Sequence, residues 1–319
     1  MSSATPTELT LNNGVTMPVL GLGVFQSPPD RTTQAVSAAL ASGYRLVDTA
    51  AAYFNEREVG EGIRRSEVPR SEVFVTTKLW ISDYGARRTR RAFEDSAERL
   101  ATGHVDLYLL HQPVPSDFAR TVEAYLAAQE LLREGRVRAI GVSNFLPEHL
   151  DRLLREVDVV PAVNQVEVHP LFAQRDVHAT DEDAGVVTQA WSPLGGVRVY
   201  GARRGARQSV LTDPRVVAIA STHDRTPAQV VLRWHLQQGR AVVPKSVRAE
   251  RIAENARVFD FLLSPDEMAT IDTLETGVRG GPDPARVSRR SMPLTIGRGL
   301  GWRLRRGVVA AAGRRPARS

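Results

Sequence analysis

An acid, a phenol and an amide leave one short apolar run together in the stretch Asp48-Thr49-Ala50-Ala51-Ala52-Tyr53-Phe54-Asn55-Glu56. Residues 44–47 before it read as a buried strand, and the charged segment after it reads as a helix. A phenol keeps its proton until about pH 10, so acid chemistry at Tyr53 near neutrality needs a cation beside it. Of the 42 basic residues, only Lys78 and Lys245 are lysine. Arginine is a wide planar fork that stays protonated, whereas lysine is a compact charge that fits a crowded site and can be tuned. In a chain that uses Arg for generic positive charge, each Lys asks for a reason.

Elements must hold these groups in place. Strand-like runs at 19–25, 44–47, 73–77, 105–110, 137–142, 162–167, 186–190 and 241–244 take turns with helical segments. Phe93, Ala97 and Leu100 form the apolar face of one such helix. Thr226-Pro227 reads as an N-cap followed by Pro at the first helical position, and Ser264-Pro265-Asp266-Glu267 as a capping box. Asn13-Gly14 signals a two-residue hairpin turn near the start. Eight strand–helix units in one composition regime predict a single (β/α)8 TIM barrel over residues 1–284, opened by a β-hairpin. An open doubly wound sheet is the alternative. No G-x-G-x-x-G follows the first strand, and Gly21-Leu22-Gly23 is too short to count.

The polar residues then fall at strand ends. Asp48 follows the second strand, Lys78 closes the third and His111 the fourth. Ser143-Asn144 closes the fifth, Gln165 lies in the sixth, Trp191 follows the seventh, and Lys245-Ser246 follows the eighth. In such a barrel these positions converge on the C-terminal mouth, where the chemistry is done. Singly, each has a plainer reading. Tyr53 is then a rim aromatic, His111 a satisfied core histidine, Gln165 a buried amide, Trp191 a packing residue, and Asp48 with Lys78 a structural ion pair. Jointly those readings weaken, since all must hold at the same mouth. No metal site is expected: the seven His are scattered and no H-E-x-x-H occurs. Ser192 sits in Trp-Ser-Pro-Leu-Gly rather than G-x-S-x-G, which argues against a serine hydrolase.

Hydrophobic content of 42% and charged content of 24% over 319 residues describe a soluble globular chain with ample core. With no cysteine, disulfides, thiol nucleophiles and Cys-ligated zinc are excluded, which suits a reducing cytosol. Residues 1–11 have no signal-peptide pattern and no apolar run is long enough for a bilayer, so a cytoplasmic monomer is expected. The net charge of +6 is unevenly spread: residues 285–319 carry ten Arg and no acid, and removing them leaves a body of −4. That stretch predicts a disordered Arg-rich tail. Its segment 299–309, with Trp302 among arginines, could touch anionic lipid or nucleic acid, though a solvated extension is the plainer reading. The loop 193–211, carrying Arg198, Arg203, Arg204 and Arg207, is long enough to expect function or motion.

Four motifs carry a family resemblance. They are Asp48-Thr49-Ala50-(x2)-Tyr53-(x)-Asn55-Glu56-(x2)-Val59-Gly60, Gly141-Val142-Ser143-Asn144-Phe145, Asn164-Gln165-Val166-Glu167-(x)-His169-Pro170 and Val243-Pro244-Lys245-Ser246-(x4)-Arg251-Ile252-(x)-Glu254-Asn255. In this order they resemble the aldo-keto reductases over residues 8–284, and the two lysines stand where that family has lysine. The resemblance implies a catalytic tetrad of Asp48, Tyr53, Lys78 and His111. Lys78, held by Asp48, would help Tyr53 protonate a carbonyl oxygen as hydride arrives at carbon from NADPH, with His111 polarising the same oxygen. It implies that Ser143, Asn144 and Gln165 hold the carboxamide and that Trp191 stacks on the ring. Gly23, Val24, Ser192, Leu194 and Val247 would complete the cofactor contacts. Lys245, Ser246 and Arg251 would clamp the 2′-phosphate, with Glu254 and Asn255 at the adenine, favouring NADPH over NADH.

Phe25, Phe54 and Trp80 would line the substrate cleft with His111, suiting a small aldehyde, a ketoaldehyde or a sugar-derived ketone such as 2,5-diketo-D-gluconate. Trp191, where many members have Tyr, resembles the bacterial branch of 2,5-diketo-D-gluconic acid reductases. Gln112, where many have Trp, departs from the pattern and leaves the substrate open. The competing reading is a catalytically idle barrel that senses or binds the cofactor.

Overall fold

The computed structural model describes residues 6–195 and 209–291. A short antiparallel hairpin, β1 (Glu8–Thr10) and β2 (Thr16–Pro18), comes first. There follow β3 (Leu22–Gly23), α1 (Pro29–Ala41), β4 (Leu46–Asp48), α2 (Glu56–Arg64), β5 (Phe74–Leu79), α3 (Ala86–Leu100), β6 (Val105–Leu110) and α4 (Phe118–Arg133). The second half holds β7 (Val137–Ser143), α5 (Pro147–Leu154), β8 (Val163–Glu167), α6 (Arg175–Asp183), β9 (Val187–Trp191), α7 (Pro214–Thr222), α8 (Pro227–Gln237), β10 (Ala241–Val243), α9 (Ala249–Ala256) and α10 (Pro265–Asp272).

All eight expected core strands are present, and β3 to β10 lie side by side in chain order, each parallel to the next. The sheet closes on itself. Gly21 N donates to Val242 O at 2.9 Å and Gly23 N to Pro244 O at 3.1 Å, which joins β3 to β10. Gly23 is required for that closure, because a Cβ there would lie 2.7 Å from Val243 O. The architecture is thus the (β/α)8 barrel, whose parallel strands are buried on both faces and therefore read as unbroken apolar runs.

The hairpin plugs the end of the barrel at which the strands begin. Leu11 and Met17 are buried against Leu46, Phe74, Ala162 and Ala241. Asn12 and Asn13 donate side-chain hydrogen bonds to Pro161 O and Arg138 O, both at 2.9 Å, tying the turn to the strand entrances. The turn differs from the expected two-residue form. Gly14 N donates to Leu11 O at 2.9 Å, so Asn12 and Asn13 are its centre and Gly14, at φ +82°, follows it. A turn followed by a left-handed glycine uses the same Asn-Gly pair one residue further along.

Helices cover the outside. In α3, Phe93 and Leu100 are buried as their spacing predicts, and Phe93 meets Tyr108 of β6 edge-on at 5.2 Å. Thr226 with Gln229 and Ser264 with Glu267 form capping boxes at the starts of α8 and α10, satisfying N–H groups that a helix start otherwise leaves bare. The described chain runs past 284: Pro284–Arg286 make a 3-10 turn and Val287 is buried in the main core. Residues 292–319, which hold most of the expected tail, and 196–208, which hold the arginines of the expected loop, lie outside the described residues. Among the described residues no helix is long and apolar enough to cross a membrane.

Candidate active site

Lys78 of β5 has no exposed surface. A buried ammonium is costly unless charge and hydrogen bonds compensate it. Asp48, at the end of β4, compensates it: Nζ donates to Oδ1 and Oδ2 at 2.7 Å each, and also to Thr49 O at 2.9 Å. Burial pulls the lysine below its ordinary pKa and Asp48 pulls it back. The same Nζ lies 3.4 Å from Tyr53 Oη and 4.9 Å from the centre of the Tyr53 ring. The acid, the phenol and the lysine singled out in the sequence therefore form one cluster.

Tyr53 ends a 3-10 turn at Ala51–Tyr53 that leaves β4. Its ring packs on Phe25 at 5.0 Å and meets His111 edge-on at 5.6 Å. Trp80 closes the other side of His111 at 5.0 Å. Burial and the Lys78 charge hold His111 well below its usual pKa, so its ring is neutral at neutral pH. Its Nδ1 is buried without a hydrogen-bond partner among the described residues. Asn55 staples the loop in place: Nδ2 donates to Val24 O at 2.9 Å, while Oδ1 accepts from Thr49 Oγ1 at 2.9 Å. Phe54, left-handed at φ 57°, faces a cleft of about 560 Å³ shared with Trp80, Arg57 and Arg88 between α2 and α3.

A second polar group sits across the mouth. Ser143 Oγ donates to Gln165 O at 2.7 Å, and Asn144 Nδ2 donates to His111 O at 3.0 Å. Trp191, half-buried, donates Nε1 to Asn144 Oδ1 at 2.9 Å. Gln165 Nε2 donates to Asp48 Oδ1 at 2.8 Å, linking this group to the lysine cluster. Two participants had no role in the sequence reading, where Glu167 stood only as a member of a motif and Gln189 did not figure. Gln189 of β9 accepts from Gln165 Nε2 at 2.7 Å. Glu167, at the end of β8, accepts from Gly280 N and Gly281 N at 2.8 Å each and so clasps the C-terminal segment beside Trp191. A signal existed for Gln189: period-two alternation puts it on the same strand face as Trp191.

Lys245 and Asp48 belong to one row of the barrel, since Gly23 pairs with both. With strands about 4.8 Å apart, their backbones are roughly 10 Å from each other. Lys245 is exposed, and partial burial lowers its pKa. Arg251 lies in the first turn of α9, where the helix end favours anions. Neither cation has a carboxylate partner among the described residues. Two unpaired cations at a helix start fit a phosphate. Ser246 Oγ accepts from Arg248 N at 3.2 Å, and Val247 packs against the core. Asn255 is buried, whereas Glu254 Oε1 accepts from Thr226 Oγ1 at 2.8 Å and so also serves the cap of α8. Val24 is wholly buried, Ser192 is left-handed at φ 50°, and Leu194 packs against two core clusters. Among the described residues no three His, Asp or Glu side chains gather as a metal site.

Residues 19–276 match the Aldo/keto reductase family. The chain is 53% identical over 285 residues to morphine 6-dehydrogenase of Pseudomonas putida, covering 89% of this chain and 96% of that protein. It is 45% identical over 283 residues to the methylglyoxal reductase DkgA of Escherichia coli K12, covering 88% and 98%. A mutant of Gox0644 solved in complex with NADPH superposes with a TM-score of 0.81 at 44% identity, covering 88% of this chain and 98% of that one.

Proposed function

The chain belongs to the aldo/keto reductase family and is an oxidoreductase; from that premise we propose that it reduces aldehydes and ketones to alcohols with NADPH, using Tyr53 as the acid. The observation that carries this reading is Lys78 Nζ, bound to both oxygens of Asp48 and 3.4 Å from Tyr53 Oη. When bound, the cofactor supplies the hydride that the carbonyl carbon accepts. As that carbon gains the hydride, its oxygen gains negative charge and takes the proton of Tyr53. The phenolate left behind sits beside the Lys78 ammonium, which stabilises it. His111, kept neutral, offers an N–H to the same oxygen. Phe25, Trp80 and the ring of Tyr53 exclude water around it, while Asp48 keeps Lys78 charged.

Trp191 supplies a half-buried ring face for the nicotinamide, and Ser143, Asn144 and Gln165 hold its carboxamide. Gly23, Val24, Ser192, Leu194 and Val247 line the path between the ring and the phosphate clamp. Lys245, Ser246 and Arg251 form that clamp, with Asn255 and Glu254 at the adenine. Their unpaired charges support NADPH over NADH, and a relative solved with NADPH agrees. The substrate we propose is a small aldehyde, a ketoaldehyde or a sugar-derived ketone. The similarity to a methylglyoxal reductase supports that class.

Purified protein with NADPH and methylglyoxal should consume the cofactor, and Tyr53→Phe should lower kcat by roughly a hundredfold or more. Binding of NADPH to that variant should stay within about twofold, since Tyr53 is not among the proposed cofactor contacts. Retention of most activity would remove Tyr53 as the acid. Tight NADPH binding with no turnover on any carbonyl compound of a broad panel would favour the idle, cofactor-sensing barrel.

A further inference from the structure

The barrel interior around Gln189 is apolar, lined by Leu46, Leu107, Leu109, Val163 and Val243. An amide with no exposed surface is costly there unless it is hydrogen-bonded, and an aliphatic side chain would pack at less cost. Its partners explain its presence. A carboxylate only accepts, so the atom of Gln165 that lies 2.8 Å from Asp48 Oδ1 must be its nitrogen. That nitrogen gives its second hydrogen to Gln189 Oε1 at 2.7 Å. Gln189 in turn points its own nitrogen at the sulfur of Met17, 3.9 Å away in the hairpin plug.

The Gln165 amide is held at two points: Asp48 takes one hydrogen and so decides which atom is nitrogen, and Gln189 Oε1 takes the other and holds the amide in that plane. Both hydrogens of Gln165 are used, and its Oε1 is the one polar atom of the side chain with no hydrogen bond among the described residues. Turning Gln165 over would face its oxygen against the Asp48 carboxylate and Gln189 Oε1, three acceptors without a donor. We infer that Gln189 is a positioning residue that fixes the Gln165 amide so that Gln165 presents an acceptor, and only an acceptor, to the NH2 of the nicotinamide carboxamide. The inference rests on the assignment of Gln165 to the carboxamide made above.

The test compares two ligands. NADP+ carries the nicotinamide, whereas 2′,5′-ADP carries the adenosine and the 2′-phosphate but no nicotinamide. Gln189→Met, close in size but lacking the acceptor oxygen, should weaken NADP+ binding about tenfold, the loss of one well-oriented hydrogen bond. Binding of 2′,5′-ADP should stay within about twofold. If the Met variant does not fold, Gln189→Asn withdraws the oxygen by one methylene and should give the same split. Equal weakening of both ligands would make Gln189 a packing residue and overturn the inference, as would unchanged NADP+ binding. Wild-type protein that binds neither ligand would overturn the cofactor reading itself, an outcome distinct from either of those.

Discussion

Asp181, in α6, should make the protein lose stability as the pH rises from about 5 to 8, against the common expectation for a carboxylate. Its side chain has no exposed surface and makes no ion pair among the described residues. It accepts from Asn164 Nδ2 at 3.0 Å and Thr188 Oγ1 at 2.8 Å, but burial outweighs both bonds and raises its pKa from 3.8 to about 7. In the unfolded chain the group ionises near its ordinary value. Between the two values the folded state binds more protons than the unfolded state, so stability falls as pH rises. The slope is about 1.4 kcal/mol per pH unit through that window, and the loss levels off above about pH 7. Between pH 5 and 8.5 the group should cost roughly 2 to 3 kcal/mol.

Asp181→Asn removes the titration while keeping an acceptor for Asn164. Urea unfolding of both proteins at half-unit steps from pH 5 to 8.5 isolates the effect as the difference between them, since other carboxylates titrate alike in each. The variant should be the less sensitive to pH, gaining on the parent by roughly 2 kcal/mol across the range. Two parallel curves, or a parent that gains on its variant as pH rises, would refute the claim that burial outweighs the two hydrogen bonds of this carboxyl.

Two further outcomes follow from the site. Lys245→Met should raise the KM for NADPH by about tenfold or more and leave the KM for NADH nearly unchanged, because only the former brings a 2′-phosphate to a cation with no carboxylate partner among the described residues; steady-state kinetics with both cofactors decides it. In Gly281→Ala the new methyl would lie 2.6 Å from the Trp191 ring and 3.1 Å from Glu167 Oε2, so the clasped segment must shift. Overpacking of this kind costs about 1 to 3 kcal/mol, and the variant should show a lower Tm and altered Trp191 fluorescence quenching on NADPH addition.

Much of the fold was legible because a parallel barrel writes itself plainly. Strands buried on both faces appear as apolar runs such as 105–110 and 137–142, and the caps at Thr226 and Ser264 mark where helices begin. Strand ends converge on one mouth, so polar residues at those ends could be grouped without knowing any distance. Lys78 stood out only because the chain otherwise uses arginine. The hairpin turn was placed one residue off, since Asn-Gly can sit at the centre of a turn or straddle its exit, and the choice depends on what Asn12 and Asn13 reach in the barrel floor.

What stayed hidden has a common cause. Glu167 is explained by Gly280 and Gly281, more than a hundred residues away, and no local pattern announces that a returning segment will need a carboxylate. Gln189 is hidden differently. Its meaning depends on the register that sets β9 against β8, with Gln165 opposite Gln189. A slip of one residue would turn Gln189 out of the barrel interior toward the helix layer, where Thr188 and Ala190 are buried, and away from Gln165. The same register links Gln189 to Asp48 through Gln165, and the carboxylate that holds Lys78 also dictates which atom Gln165 turns toward a ligand. The acid-base half of the site and the ligand-orienting half therefore share one charge, and loss of Asp48 should disturb both rather than proton transfer alone.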